Sequence, residues 1–480
     1  MPLELNARAD ITLDLYHRIA WRGEGLHIGA RAVQCMTERR RQFLDLLDRD
    51  PTVTIYGVTT GYGHHADLRI EGEARRAHAR KPPRTPVAAF GPPVPERVAR
   101  GIVLARLANF VEGHAAVTPA LAVEIAALLD GRGLPKVSLS GQGGAGEILW
   151  AAPLFVALAE RFPLGEKDTL SLVNGSPAAS ALIADAALAM RRRLDLVERV
   201  FALSAEAIKA PFEAYDPAFE DLWGDPHETA ALRRLRELLH GGGGERRKYQ
   251  APVSYRILPR VIGQFRRVIA QAEEIAAGSL RSVTDNPVFL PPDAEHPLGR
   301  VCSNGGYHNA RAYPALDNLA AASADLCMLA ERHTTKLLDG RYSLLPDQLQ
   351  QGDGHIGILG FVQVGYAEEA RRHAQRTFLP GSEAGGFGQN DVAPLTGLAW
   401  KAQEEAGRCL DAALTVLAAV ASQAFYVTER TAPPALADLA GTIRADFPPV
   451  TVAQTFAEPL TRLLARLRQH IYDVADDLRE

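Results

Sequence analysis

Cysteine is scarce in this chain. It has four in 480 residues, Cys35, Cys302, Cys327 and Cys409, with no Cys-x-x-Cys spacing. Neither a zinc site nor a disulfide framework is indicated. No run reaches the roughly 18 apolar residues of a membrane span. The start, Met1-Pro2-Leu3-Glu4-Leu5, carries an early acid and no apolar signal core, so a cytoplasmic location is expected. An excess of one charge is also missing. The formal net charge of −4 gives no reason to expect nucleic acid or a membrane surface as a partner. The short basic clusters Arg191-Arg192-Arg193 and Arg246-Arg247-Lys248 have acids close by, Asp195 and Glu245, and read as solvated faces. No internal repeat stands out. The remaining composition, 47% apolar and 23% charged, is that of an ordinary globular protein. The length exceeds one typical domain, although bundles of long helices reach this size around one core.

The strongest pattern is helical. Apolar residues recur at three- and four-residue spacing, rich in Ala and Leu, over Val98–Leu129, Trp150–Glu160, Ala178–Ile208, Ala315–Leu338 and Leu398–Phe425. Such wide apolar faces belong inside bundles. Between them, Lys81-Pro82-Pro83-Arg84-Thr85-Pro86 and Gly91-Pro92-Pro93 cannot be helical. Gly241–Gly244 is a flexible joint, and Leu379–Gly388 a Gly-rich loop. The pattern predicts a mixed N-terminal domain over 1–200 and a helical bundle with a helical C-terminal region over 201–480.

Six short blocks carry the chemistry. They are Tyr56-Gly57-Val58-Thr59-Thr60-Gly61-Tyr62-Gly63, Leu172-Val173-Asn174-Gly175-Ser176, Gln250-Ala251-Pro252-Val253-Ser254-Tyr255-Arg256, Ser282-Val283-Thr284-Asp285-Asn286-Pro287, Asn304-Gly305-Gly306-Tyr307-His308 and Gln389-Asn390-Asp391-Val392. In this order they resemble the conserved blocks of the histidine and aromatic amino acid ammonia-lyases. That resemblance implies a mainly α fold, a fumarase/aspartase-type central bundle of long helices. It also implies a homotetramer whose active sites combine residues from several subunits.

In the same resemblance Tyr56 is the catalytic base. Tyr56 follows Val53-Thr54-Ile55, a short β-like run, and precedes a Gly-rich turn that would face it into a cleft. A tyrosine keeps its proton up to about pH 10, so acting as a base takes neighbouring positive charge. Arg256 is implied for that role and for binding a substrate carboxylate through its planar fork; a structural ion pair is the alternative. Asn174 and Gln250 match residues that hydrogen-bond the substrate or the prosthetic ring, but they fit equally as buried amides with satisfied partners. Tyr307, Gln389 and Asn390 match pocket positions, the two amides standing where histidine-specific members carry a glutamate. His308 reads as structural. Asn286 matches a pocket position, and turn chemistry alone also accounts for it.

One stretch departs from the family. Val137-Ser138-Leu139-Ser140-Gly141-Gln142-Gly143-Gly144-Ala145-Gly146-Glu147-Ile148 stands where members carry Ala-Ser-Gly, which cyclises into 4-methylidene-imidazol-5-one (MIO). Aligned through Gly143, Gly146 and the following acid, the triad is Gly144-Ala145-Gly146. The methylidene carbon comes from dehydrating a serine, and Ala145 has no hydroxyl to lose, so no MIO and no other cofactor is expected. The family's second tyrosine and aspartate are Val253 and Ala251. Its active-site histidine has no counterpart, since the region near Thr85 holds prolines. The interval 147–173 is short for the hairpin and helix usually inserted there.

Three readings follow. The first is an MIO-independent enzyme in which Tyr56 supplies acid/base catalysis on a small anionic or carbonyl-bearing substrate, by elimination, isomerisation, hydration or cyclisation. The second is a conventional ammonia-lyase whose MIO forms from Leu139-Ser140-Gly141. The third is a non-catalytic homologue that binds a small molecule or a partner chain. Survival of Tyr56, Gln250 and Arg256 together favours the first over the third.

Overall fold

The computed structural model describes residues 3–131, 133–379, 390–469 and 471–472. The fold is mainly helical. Among the described residues the strands form two small pairs, β1 (Leu3–Leu5) parallel to β2 (Leu26–Ile28), and β3 (Val288–Leu290) antiparallel to β4 (Arg300–Cys302). The chain forms two compact units. The first takes Met1–Leu188, Ala272–Leu316 and Arg376–Lys401; the second takes Ala189–Gln271, Asp317–Gln375 and Ala402–Glu480.

In the first unit, the run expected as helix over Val98–Leu129 is two helices, Glu96–Ala108 and Pro119–Ala127. Gly113 and Ala116 between them take left-handed backbone angles, which no helix accepts, and Pro119 opens the second helix. Every residue from Arg97 to Ala108 is buried. Arg97 and Arg100 sink into this core because each finds acceptors, while Arg106, six residues further on, is buried with Nε and Nη2 unpartnered among the described residues. Arg97 pairs with Asp185 at 2.8 Å. Arg100 donates to the carbonyls of Ile19, Glu24, Leu129 and Gly131, and Arg106 to that of Ser171. The helices Ile148–Arg161 and Asp168–Val173 fill the interval after Glu147.

The other long helices, Pro177–Ala207, Ala312–Leu338 and Thr396–Val427, lie where the apolar spacing places them. Asp168–Ala207 and Thr396–Val427 are long and apolar enough to cross a membrane by composition, but both are mostly buried inside the fold, as core helices are.

In the second unit, the cluster Arg191-Arg192-Arg193 is not simply a solvated face. Arg193 is fully buried, paired with Asp411 at 2.9 Å and hydrogen-bonded to the Tyr472 hydroxyl. A buried acid draws it inward, an acid far away in sequence and so invisible to local charge counting. Tyr255 is also buried, stacked at 3.7 Å on His333. His333 bridges Ser204 Oγ and the Ser254 carbonyl, and burial pushes its imidazole down to about 3. Within the Gln250 block, Tyr255 is therefore a packing anchor.

Candidate active site

The first unit contains a cavity of about 600 Å³ whose walls bring most of the implied residues together. Tyr56, Ala145, Gly146, Asn174, Asn286, Tyr307 and Asn390 all line it.

The wall bearing Tyr56 is a turn. Val53–Ile55 does not form the β-like run its composition suggests. The Ile55 carbonyl accepts the N–H groups of Val58, Thr59 and Thr60, and Thr59 Oγ1 accepts the Ile55 N–H and donates to the Val53 carbonyl. These local bonds satisfy backbone groups that a strand would have left for a partner. Gly57 sits at φ +69°, and a Cβ there would stand 2.5 Å from Tyr62 Cε1. Glycine thus permits both the turn and the packing of Tyr62. The Tyr56 hydroxyl accepts the Gly63 N–H at 3.1 Å. Its ring meets Tyr62 edge-on at 6.2 Å, and Tyr62 meets the His78 ring at 4.5 Å.

The second wall is the proline-rich strap after the helix Gly72–Ala79. Thr169 Oγ1 reaches the carbonyls of Ala79 and Lys81, pinning the strap to the helix Asp168–Val173. Lys81, Arg84 and the intervening prolines face the cavity. The family's active-site histidine has no clear counterpart near Thr85, where prolines stand, but the structure brings another histidine to this wall. His78 lines this cavity, with its Nε2 buried and unpartnered among the described residues. The sequence signal available was a histidine three residues before Lys81-Pro82-Pro83, which marks a helix end over a rigid loop. Tyr62 was inside the block but not singled out.

The third wall is the loop with Gly144, Ala145 and Gly146. Gly144, Gly146 and Glu147 all take left-handed angles. The Glu147 carboxylate is buried and accepts the N–H groups of Ala178 and Ala179, 2.9 and 3.1 Å away, at the start of the helix Pro177–Ala207. Burial pushes its carboxyl up to about 8, against those N–H groups and Arg106, which favour the charged form. Ser140 lies in the preceding segment. Its N–H is bound by Ser138 Oγ, its side chain stands beside Gly91, and it is not among the cavity's lining residues.

The amides divide their work. Asn174 donates to the Asn286 carbonyl at 2.6 Å and accepts from the Gly175 N–H. The Asn286 side chain accepts from Ser303 Oγ and the Asn304 N–H. Both therefore hold the floor together while facing the cavity. Beside this floor, Lys167, Ser171 and Asp285 form a fully buried cluster, Ser171 Oγ donating to Asp285 Oδ2 at 2.8 Å. Asn109 Oδ1 holds the N–H groups of Thr284 and Asp285.

Gln250 and Arg256 belong to the second unit. Gln250 is exposed, and Arg256 donates through Nε to the Ala251 carbonyl at 3.1 Å. Gln389 and the Gly-rich loop from 380 lie outside the described residues. No cluster of His, Cys, Asp and Glu able to hold a metal occurs among the described residues.

The family model for aromatic amino acid lyase matches residues 11–161 and 156–445. A histidine ammonia-lyase of Symbiobacterium thermophilum is 30% identical over 367 residues, covering 69% of this chain and 71% of that one. One of Streptomyces avermitilis is 29% identical over 391 residues, 74% and 75% of the two chains. Among solved structures, the ergothioneine-degrading enzyme ergothionase from Treponema denticola superposes with a TM-score of 0.89 at 17% identity, over 99% and 100% of the two chains. Tyrosine aminomutase from Streptomyces globisporus gives 0.85 at 21% identity, over 98% of each.

Proposed function

The chain belongs to the aromatic amino acid lyase family, and on that premise we propose that it is an enzyme that works without MIO. Its Tyr56 moves a proton on a small anionic or carbonyl-bearing substrate, by elimination, isomerisation, hydration or cyclisation. The observation that carries this reading is the third wall. The residue facing the cavity beside Tyr56 and Asn174 is Ala145, whose methyl group offers no hydroxyl to dehydrate. The residues of this loop therefore do not fit the prosthetic group. The chemistry falls to groups the chain itself supplies. Tyr56 takes or returns the proton, and the cavity's amides stabilise negative charge that develops on the substrate. Arg256, Gln250 and Asn174 are the residues that family likeness assigns to the substrate's anionic or carbonyl end. Tyr56 and Arg256 come from different copies in a homotetramer, so an isolated monomer is inactive.

The ergothionase neighbour, an ergothioneine-degrading enzyme, supports a substrate other than a plain amino acid on this scaffold. A second reading, a conventional histidine ammonia-lyase with MIO formed from Ser140, is favoured by the names of the relatives. The position of Ser140 beside Gly91 speaks against it. The test is turnover on a panel of arylalanine-derived acids, followed by absorbance of the conjugated product. Wild type turns over at least one member, and Tyr56→Phe lowers kcat by about 10²-fold or more with an unchanged melting temperature. Full activity in Tyr56→Phe, or an inert wild type, defeats the proposal.

A further inference from the structure

Two polar groups in the cavity have no role in that scheme. Among the described residues lining it, Lys81 and Arg84 are cations and none is an acid. Arg84 is satisfied by Glu160 at 2.7 Å. Lys81 is exposed and its ammonium has no hydrogen-bond or ion-pair partner among the described residues. His78 Nε2, on the same wall, is buried and equally unpartnered. A buried polar atom without a partner is costly, a deficit that a bound ligand removes. The strap that carries Lys81 is held in place by Thr169 and stiffened by Pro82 and Pro83, so the ammonium is presented on a rigid support.

We propose that Lys81 and His78 form an anion subsite of their own, so that the substrate carries a second acidic group besides the one assigned to Arg256. This rests on the reading of the cavity as the active site. The ligand class is a doubly anionic arylacid, with one carboxylate on the side chain and one acidic group on the ring. Burial and the neighbouring Lys81 hold the His78 imidazole below its usual range, which leaves Lys81 as the charge and His78 as a neutral hydrogen-bonding partner.

The experiment is calorimetric binding of trans-cinnamate and 4-carboxycinnamate to the full-length protein and four variants. In wild type the diacid binds at least tenfold more tightly than the monoacid. Lys81→Gln abolishes that ratio, Lys81→Arg keeps it, and His78→Gln lowers it. Arg256→Gln weakens both probes and leaves the ratio intact. Lys81 is exposed and unpartnered, so Lys81→Gln folds, which an unchanged thermal melt verifies. Equal binding of the two probes by wild type, no binding of either, or an unchanged ratio in Lys81→Gln overturns the proposal. The ratio is read from binding alone, so loss of the MIO-independent reading leaves this test standing.

Discussion

Glu147 gives the sharpest quantitative test of how the loop of Ala145 is held. It follows Gly146 directly, is buried in a left-handed conformation, and spans to the N–H groups of Ala178 and Ala179. Its carboxyl is raised from 4.5 to about 8, first by burial, with the backbone donors and Arg106 opposing. A raised carboxyl means that the folded chain holds the proton more tightly than the unfolded chain. The resulting stabilisation is complete below about pH 4.5 and is lost as the pH rises through about 8. The gap, about 3.5 units, amounts to roughly 5 kcal/mol, or about 1.4 kcal/mol for each pH unit. Glu147→Gln keeps an acceptor facing the two N–H groups but cannot titrate. Urea unfolding followed by far-UV circular dichroism, at pH 5, 6, 7 and 8, isolates the effect as the difference between wild type and variant. That difference shifts against wild type by roughly 1 kcal/mol per unit, most steeply between about pH 5 and 7. Parallel stability–pH curves for the two proteins would refute the reasoning.

Other perturbations follow from single contacts. Gly57→Ala forces a Cβ to 2.5 Å from Tyr62 Cε1 at a φ of +69°, so denaturant unfolding should show a loss of about 1–3 kcal/mol. Lys167→Met strands Asp285, whose Oδ1 already lacks a partner among the described residues. The expected loss is about 3–5 kcal/mol. Adding Asp285→Asn recovers part of it, and a double-mutant cycle showing simple additivity would sink the coupling.

The long helices were legible because periodicity is a local property. Pro177–Ala207, Ala312–Leu338 and Thr396–Val427 end within a few residues of where the apolar pattern ends. The break at Gly113–Ala116 was not, because the apolar spacing continues through it while the backbone reverses into left-handed angles. The blocks found most of the cavity, since Tyr56, Asn174, Asn286, Tyr307 and Asn390 converge there. His78 and Lys81 escaped because they belong to no block, and only tertiary placement by Thr169 makes them part of the wall. Arg193 was misread for a related reason. Its partner Asp411 lies 218 positions along the chain, and local charge patterns carry no trace of such a pairing.

The central claim is that the loop with Gly144, Ala145 and Gly146 stays an ordinary peptide. Intact mass of the purified protein, with the peptide spanning 138–146 sequenced by fragmentation, tests it directly. An unmodified mass with every residue of that peptide accounted for is the predicted result. A deficit of two waters mapped to the same peptide would contradict the account and restore a conventional MIO ammonia-lyase.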